Sequence, residues 1–335
     1  MKITASPSPV VPSAIADPRL VADVGGTNAR FAWQAGPGQP LENVQVLPCA
    51  AYLTLQDAMR AYLAQCGRAM PLHAAIAIAN PVTGDEIRMT NHHWAFSQQA
   101  VCTEFGLTRL RVLNDFTALA LALPALGPED VRQVGGAEAK SGAPKALIGA
   151  GTGLGVSGLL PDGNGGWVAL EGEGGHVTLP CATERERCVM DGLARLYGHA
   201  SAERAVSGQG LIDTYLVLRQ ADGVLTPGCT SPAEVTEAAL SGRDAHAVEA
   251  LNLFCGFLGV VAGNLALTLG ALGGVYIGGG VVPRLGDWFD ASPFRRQFEA
   301  KGRFQGYLAA LPVWVITASQ SPALLGASRA LDGAA

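Results

Sequence analysis

The chain alternates short apolar runs, ended by glycine, with longer stretches in which apolar side chains return every three or four residues. Residues 20–24 are apolar but for Asp23, turn at Gly25-Gly26-Thr27 and resume as residues 29–33, which predicts two antiparallel strands joined by a glycine turn. Residues 53–66 carry helical spacing. Residues 74–79 and 110–113 predict strands, the second ending at Asn114-Asp115, and residues 116–123 predict a helix stopped by Pro124. A second unit of the same plan follows: strand 146–150, the turn Gly151-Thr152-Gly153, strand 154–160. The repeat after about 125 residues points to an internal duplication. Helices dominate residues 185–269. Residues 274–278 predict a strand running into a glycine turn, 313–317 a last strand and 322–331 a last helix.

Strands alternating with helices define an α/β chain, and two such halves are expected to enclose a ligand cleft. The expected organisation is a flexible tail over residues 1–18, a small α/β domain over 19–125 plus about 316–335, and a large α/β domain over 126–315.

Composition narrows the class. A chain of 335 residues exceeds one simple core, and 49% hydrophobic against 15% charged residues supports a large buried interior and argues against disorder. The net charge of -5 and the lack of a Lys/Arg-rich run argue against a nucleic-acid partner. Seven scattered cysteines with no C-x-x-C pair read as free thiols in a reducing, cytoplasmic compartment. Residues 1–17, rich in Pro, Ser and Ala, lack the apolar core of a secretory signal and read as a loose tail. No charge occurs between Glu249 and Arg284, but Leu251, Phe254, Leu258, Val261, Leu265 and Leu269 follow helical spacing, with Asn252, Asn264 and Thr268 among them. A buried core helix fits this pattern better than a membrane span, so no membrane partner is expected.

The candidate chemistry sits where the apolar runs end. In Asp23-Val24-Gly25-Gly26-Thr27-Asn28, glycines let backbone N–H groups approach an anion, and Asp23 can hold Mg²⁺ directly or through water. An ordinary hairpin explains the same residues. The turn at Gly151, Thr152 and Gly153 offers the same donors, and two such turns can grip one polyphosphate. Asp115, at a strand's C-terminal end, can take a hydroxyl proton during phosphoryl transfer, or can cap the helix that follows. Asn114 beside it offers a donor and an acceptor to a polyol.

Glu173 and His176 lie three apart in a glycine-rich loop and can reach one ligand, while Glu171 reads as solvated. A zinc site using His176, Cys181 and Cys188 matches no common spacing. Ser201 and Glu203 read first as a helix start. Asn91 and Trp94, in Thr90-Asn91-His92-His93-Trp94, suit sugar binding or a buried Trp on a loop. The turn Gly278-Gly279-Gly280 can admit a flat base, or can serve tight packing alone.

Together the segments LVADVGGTNARFA, IAIANPVTGDEIRMTNHHWAFS, VLNDFTALALALP, GAGTGLGV, EGEGGH, SAERAVSGQGL, GNLALTLGALGGVYIGGGVVPR and GRF resemble the bacterial glucokinase family, in its zinc-free branch. The match runs from about residue 20 to 327. The resemblance implies a two-lobed fold like actin and the sugar kinases, with a ribonuclease-H-like core in each lobe and a cleft between. It implies ATP and Mg²⁺, glucose converted to glucose 6-phosphate as the first step of glycolysis, and a homodimer.

On matching positions, Asp115 resembles the catalytic base. Asn91, Asn114, Asp115, Glu173, His176 and Glu203 resemble sugar ligands. Gly25, Gly26, Thr27 and Asn28 resemble one phosphate turn and Gly151, Thr152 and Gly153 the other. Gly278, Gly279 and Gly280 resemble the adenosine contact, and Asp23 the residue that organises Mg²⁺. The related ROK family carries a cysteine-rich zinc motif after the His that this chain lacks. A kinase for fructose, mannose or an N-acetylated hexosamine, and a non-catalytic sugar sensor, stay open as alternatives.

Overall fold

The computed structural model describes residues 17–90 and 92–332. Their contacts divide them into two units, 17–115 with 327–332, and 116–326. In the first unit, β1 (Arg19–Val24), β2 (Asn28–Gln34), β3 (Leu41–Pro48), β4 (His73–Ile78) and β7 (Arg109–Asn114) form one sheet in the order β3-β2-β1-β4-β7. A small hairpin of β5 (Glu86–Arg88) and β6 (Ala95–Ser97) lies apart from it. The sheet is antiparallel from β3 to β1 and parallel from β1 to β7. Helices α1 (Leu55–Cys66) and α2 (Gln98–Phe105) start at hydroxyl caps from Thr54 and Ser97, and both end at a left-handed glycine. α1 buries Leu55, Met59 and Tyr62 in a core with Phe31, Ile76 and Trp94.

The second unit repeats the plan. β9 (Lys145–Ala150), β10 (Leu154–Pro161), β11 (Trp167–Glu171), β12 (Val275–Gly278) and β13 (Val313–Ile316) stand in the order β11-β10-β9-β12-β13, and β8 (Val131–Gln133) adds an edge. Again the first three pair antiparallel and the next two run parallel. The duplication expected from the two glycine turns is thus a repeated five-strand sheet of ribonuclease-H-like order.

Side chains alternate across β9. Ala146, Ile148 and Ala150 face the core built with α4 (Glu184–Tyr197), α5 (Ala202–Ala205), α6 (Gly208–Ala221), α7 (Pro232–Leu240) and α8 (Ala245–Leu269). Leu147 faces a smaller cluster with Tyr276, Leu159 and α3 (Asp115–Ala122).

That smaller cluster explains where the units divide. The sequence placed the boundary at 125/126, but Phe116, Leu119 and Ala120 of α3 pack with Leu147 and Leu159, so α3 goes with the second sheet. The return falls at 326/327 rather than near 315/316, because Ala318 packs in the smaller cluster beside β13 and Gly326 lies so close to the Ala118 carbonyl of α3 that a side chain there would collide with it. Residues 1–16 of the expected tail lie outside the described residues. Asp17 is held in the fold: it accepts from Arg19 Nη2 at 3.0 Å and stands 2.5 Å from His73 Nδ1. α8 is long and apolar enough to cross a membrane by length and composition, yet two-thirds of its apolar window (67%) is buried in the protein, as a core helix requires.

The helices of the second unit are tied by an ion cluster. Arg185 of α4 donates to both Asp222 oxygens, at 2.9 and 2.6 Å, and to Glu249 of α8 at 2.7 and 2.8 Å. His246 Nε2 lies 3.0 Å from Asp222. Arg185 first, then His246, pulls the Asp222 carboxyl from its ordinary 3.8 to about 2. A depressed carboxyl contributes stability above its unfolded value and loses it as pH falls through the folded one. The melting temperature of the wild type is therefore expected to fall between pH 3.8 and about 2 more steeply than that of Asp222→Asn. Equal slopes would remove this cluster from the acid response.

Candidate functional site

In the first unit the expected residues gather at the carboxyl ends of the parallel strands. Val24 is in register with Ile78, and Ile78 with Asn114. The turn after β1 and the Asn114-Asp115 pair therefore stand two strand spacings apart, about 10 Å, on one edge of one sheet. The turn is closed by Gly25 N–H donating to Asn28 O at 3.0 Å and braced by Cys49 N–H on Thr27 O at 2.9 Å. Asp23 faces its cross-strand partner Arg30, whose Nη1 donates to Oδ2 at 3.4 Å. Asp115 is the first residue of α3, so the helix begins one residue earlier than its sequence pattern predicts. Asn91 lies outside the described residues. Trp94 is buried, and its indole N–H donates to Tyr52 O at 3.0 Å, so it is a core residue and not a sugar-stacking one. Partial burial, then neighbouring His93, holds His92 below its ordinary value.

In the second unit the expected residues converge on Leu154. Its N–H donates to Glu203 Oε2 at 3.0 Å, and its carbonyl packs so closely on Gly175 that a side chain there would collide with it. The Glu173–His176 loop and the Ser201–Glu203 segment are laced together by Leu179 N–H on Ala200 O and Ala202 N–H on Val177 O, at 2.9 and 2.8 Å. Glu173 and His176 are both exposed, with Oε2 and Nε2 3.9 Å apart.

The turn Gly151-Thr152-Gly153 is closed by Gly151 N–H on Gly153 O at 2.8 Å. It is supported by Gly208 N–H, at the start of α6, donating to Gly151 O at 2.9 Å. Ser201 holds the N-cap position of α5, but its hydroxyl makes no cap bond, and Glu203 turns one carboxylate oxygen, Oε2, to the Leu154 N–H just past the glycine turn. Glu171 is exposed, as expected.

The Gly278–Gly280 turn divides between packing and openness. Gly278 is in register with Gly149, and Gly279, at φ 77°, leans on the Ala150 carbonyl; these two serve the tight approach of β12 and β9. Gly280 and Gly151 have open space where a side chain would stand. Without a shielding side chain a polyphosphate can approach the backbone there, although the Gly151 N–H itself is taken by Gly153 O, and the Asp23 oxygens fit a hard cation. Among the described residues no three His, Cys, Asp or Glu side chains form a metal-binding group. The Gly208 N–H and Asn80, whose carbonyl accepts from Asn114 Nδ2 at 3.3 Å, escaped the sequence reading. Asn80 stands before Pro81, just past the strand predicted over residues 74–79.

A duplicated five-strand plan with a glycine turn opening each sheet is the architecture of the two-lobed, actin-like sugar kinases. The crystal structure of a glucokinase from an Antarctic psychrotroph matches it with a TM-score of 0.86 at 33% identity, over 95% of this chain and 99% of that one. Residues 20–334 match the family model described as Glucokinase, and the chain belongs to the glucokinase family. It is 54% identical over 318 residues to a glucokinase of Aromatoleum aromaticum, covering 95% of each chain. It is also 54% identical over 314 residues to one of Chromobacterium violaceum, covering 94% of this chain and 89% of that one.

Proposed function

We propose that the chain transfers the γ-phosphate of ATP to the 6-hydroxyl of glucose, releasing ADP and glucose 6-phosphate, with Asp115 as general base. ATP-dependent glucose phosphorylation is the activity of its family. The observation that supports the assignment of the base is the position of Asp115. It follows the last residue of β7, on the same sheet edge as the Asp23–Asn28 turn.

Asn91, Asn114, Glu173, His176 and Glu203 hold the sugar hydroxyls. A site built of hydrogen-bonding groups discriminates against an isomer that leaves one of them unpaired. Asp115 orients O6 and accepts its proton as the O6–P bond forms and the bond from phosphorus to the ADP oxygen breaks. Amides of the Gly25–Asn28 and Gly151–Gly153 turns receive charge on the transferred group. Asp23 is the residue suited to hold Mg²⁺, which when bound offsets phosphate charge. Gly280, open toward solvent, is where the adenosine approaches the backbone.

The seven free thiols support a cytoplasmic setting, and family resemblance supports a homodimer and a place at the entry to glycolysis. Glu173→Gln is expected to raise the KM for glucose with a smaller change in kcat; an unchanged KM in steady-state kinetics would count against Glu173 as a sugar contact. The overall reading is tested by ADP release in the presence of glucose, fructose, mannose and an N-acetylated hexosamine, with the product assayed for phosphate at O6. Turnover highest with glucose is expected. Preference for another hexose, or no ADP release, would refute the assignment.

A further inference from the structure

We propose that Asn80 is a positioning residue that fastens Arg88 and Thr90, the latter next in sequence to Asn91, to the end of β7, and so sets the affinity for the sugar. This rests on the reading of Asn91, Asn114 and Asp115 as sugar-facing residues. Asn80 stands two residues past β4, with its own N–H on Ile78 O at 2.8 Å and Pro81 after it restricting its backbone. Its side-chain amide is committed to the neighbouring loop. Nδ2 donates to Arg88 O at 2.8 Å and to Thr90 Oγ1 at 3.0 Å, and Oδ1 accepts from Thr90 N–H at 3.0 Å. Its backbone carbonyl accepts from Asn114 Nδ2 at 3.3 Å.

One residue therefore grips Thr90, which Asn91 follows, and Asn114, which Asp115 follows. The far side of the loop is pinned independently, by His93 Nε2 at 3.1 Å from Leu53 O and by the Trp94 indole on Tyr52 O. Removing Asn80 leaves the loop closed at its base by Met89 N–H on Trp94 O at 3.0 Å, and takes from it the bonds at Arg88 O and Thr90.

Only a primary amide supplies two donors and an acceptor in one plane. Aspartate keeps an acceptor for Thr90 N–H but faces Arg88 O with a second acceptor, and alanine offers nothing. A loop that must be ordered by the ligand gives weaker binding, because the ordering cost moves into the binding step. The nucleotide turn after β1 makes no contact with the Asn80 side chain among its hydrogen bonds, so nucleotide affinity is expected to stay.

The test is calorimetric titration of the full-length protein with glucose, and separately with a non-hydrolysable ATP analogue, for wild type, Asn80→Ala, Asn80→Asp, Thr90→Val and the Asn80→Ala/Thr90→Val double variant. Asn80→Ala is expected to weaken glucose binding about tenfold to a hundredfold, Asn80→Asp and Thr90→Val less, with analogue binding within about twofold of wild type. The double variant is expected to bind no worse than Asn80→Ala, since both changes remove one shared contact. Glucose binding by Asn80→Ala or Thr90→Val equal to wild type, additive losses in the double variant, or equal weakening of both ligands would overturn the role of Asn80. Absence of glucose binding by the wild type would overturn the proposed function itself, and this role with it.

Discussion

Asp115→Asn is expected to lose about 10²- to 10⁴-fold in kcat while glucose binding weakens far less. The substitution keeps the shape of the side chain and its place as first residue of α3, removes its negative charge and its ability to take a proton, and turns one acceptor oxygen into a donor. Phosphoryl transfer depends mainly on positioning and charge stabilisation, so residual turnover should survive from the glycine turns. Steady-state kinetics paired with glucose titration separates the two effects. Near-native kcat would remove Asp115 from the chemistry, and loss of glucose binding matching the loss of kcat would make it a ligand rather than a base.

Gly279→Ala is expected to cost about 2–5 kcal/mol, combining a left-handed backbone with a forced approach to a neighbouring carbonyl. Gly279 sits at φ 77°, and its added Cβ would run into Ala150 of β9. The two strands cannot separate freely, because Ile277 and Gly278 are in register with Ile148 and Gly149, and Val281 N–H donates to Ala150 O at 3.2 Å. For a unit of this size the loss corresponds to a fall in melting temperature of about 5–15 °C. Gly280→Ala is the control: nothing stands within 4 Å of its added Cβ, so its stability should match wild type. Equal melting temperatures for Gly279→Ala and wild type would show that the β9–β12 contact is more yielding than its geometry indicates.

The parts of the fold legible in the sequence were those with local causes. Both glycine-turn hairpins were visible because an apolar strand, a glycine turn and a second apolar strand are contiguous. The strands that follow the two hairpins, β3 and β11, were not. Of β3 only Leu47 is buried, and β11 buries none of its residues, so neither carries the alternation that marks a half-buried strand. α3 was visible as a helix but not as a member of the second unit. Its Asp-Phe-Thr-Ala-Leu-Ala-Leu-Ala run is apolar nearly all round and has no polar face to show which sheet it covers.

The candidate site was legible where its residues end predicted strands. Asp23, Asn114 and Asp115 end apolar strands, where α/β folds place ligand-binding groups. Asn80 was hidden because its partners, Thr90 and Asn114, are 10 and 34 residues away and meet it only through the tertiary fold. The bond from Glu203 to Leu154, 49 residues apart, was hidden for the same reason, and a helix-start reading of Glu203 was the natural local one.

The most direct test is a single-turnover experiment in which enzyme saturated with glucose is mixed with a limiting amount of ATP and quenched over time. Because it reads the transfer step apart from product release, proton acceptance by Asp115 should appear as formation of glucose 6-phosphate at least about 10²-fold slower in Asp115→Asn than in wild type. Equal single-turnover rates in the two proteins would contradict it.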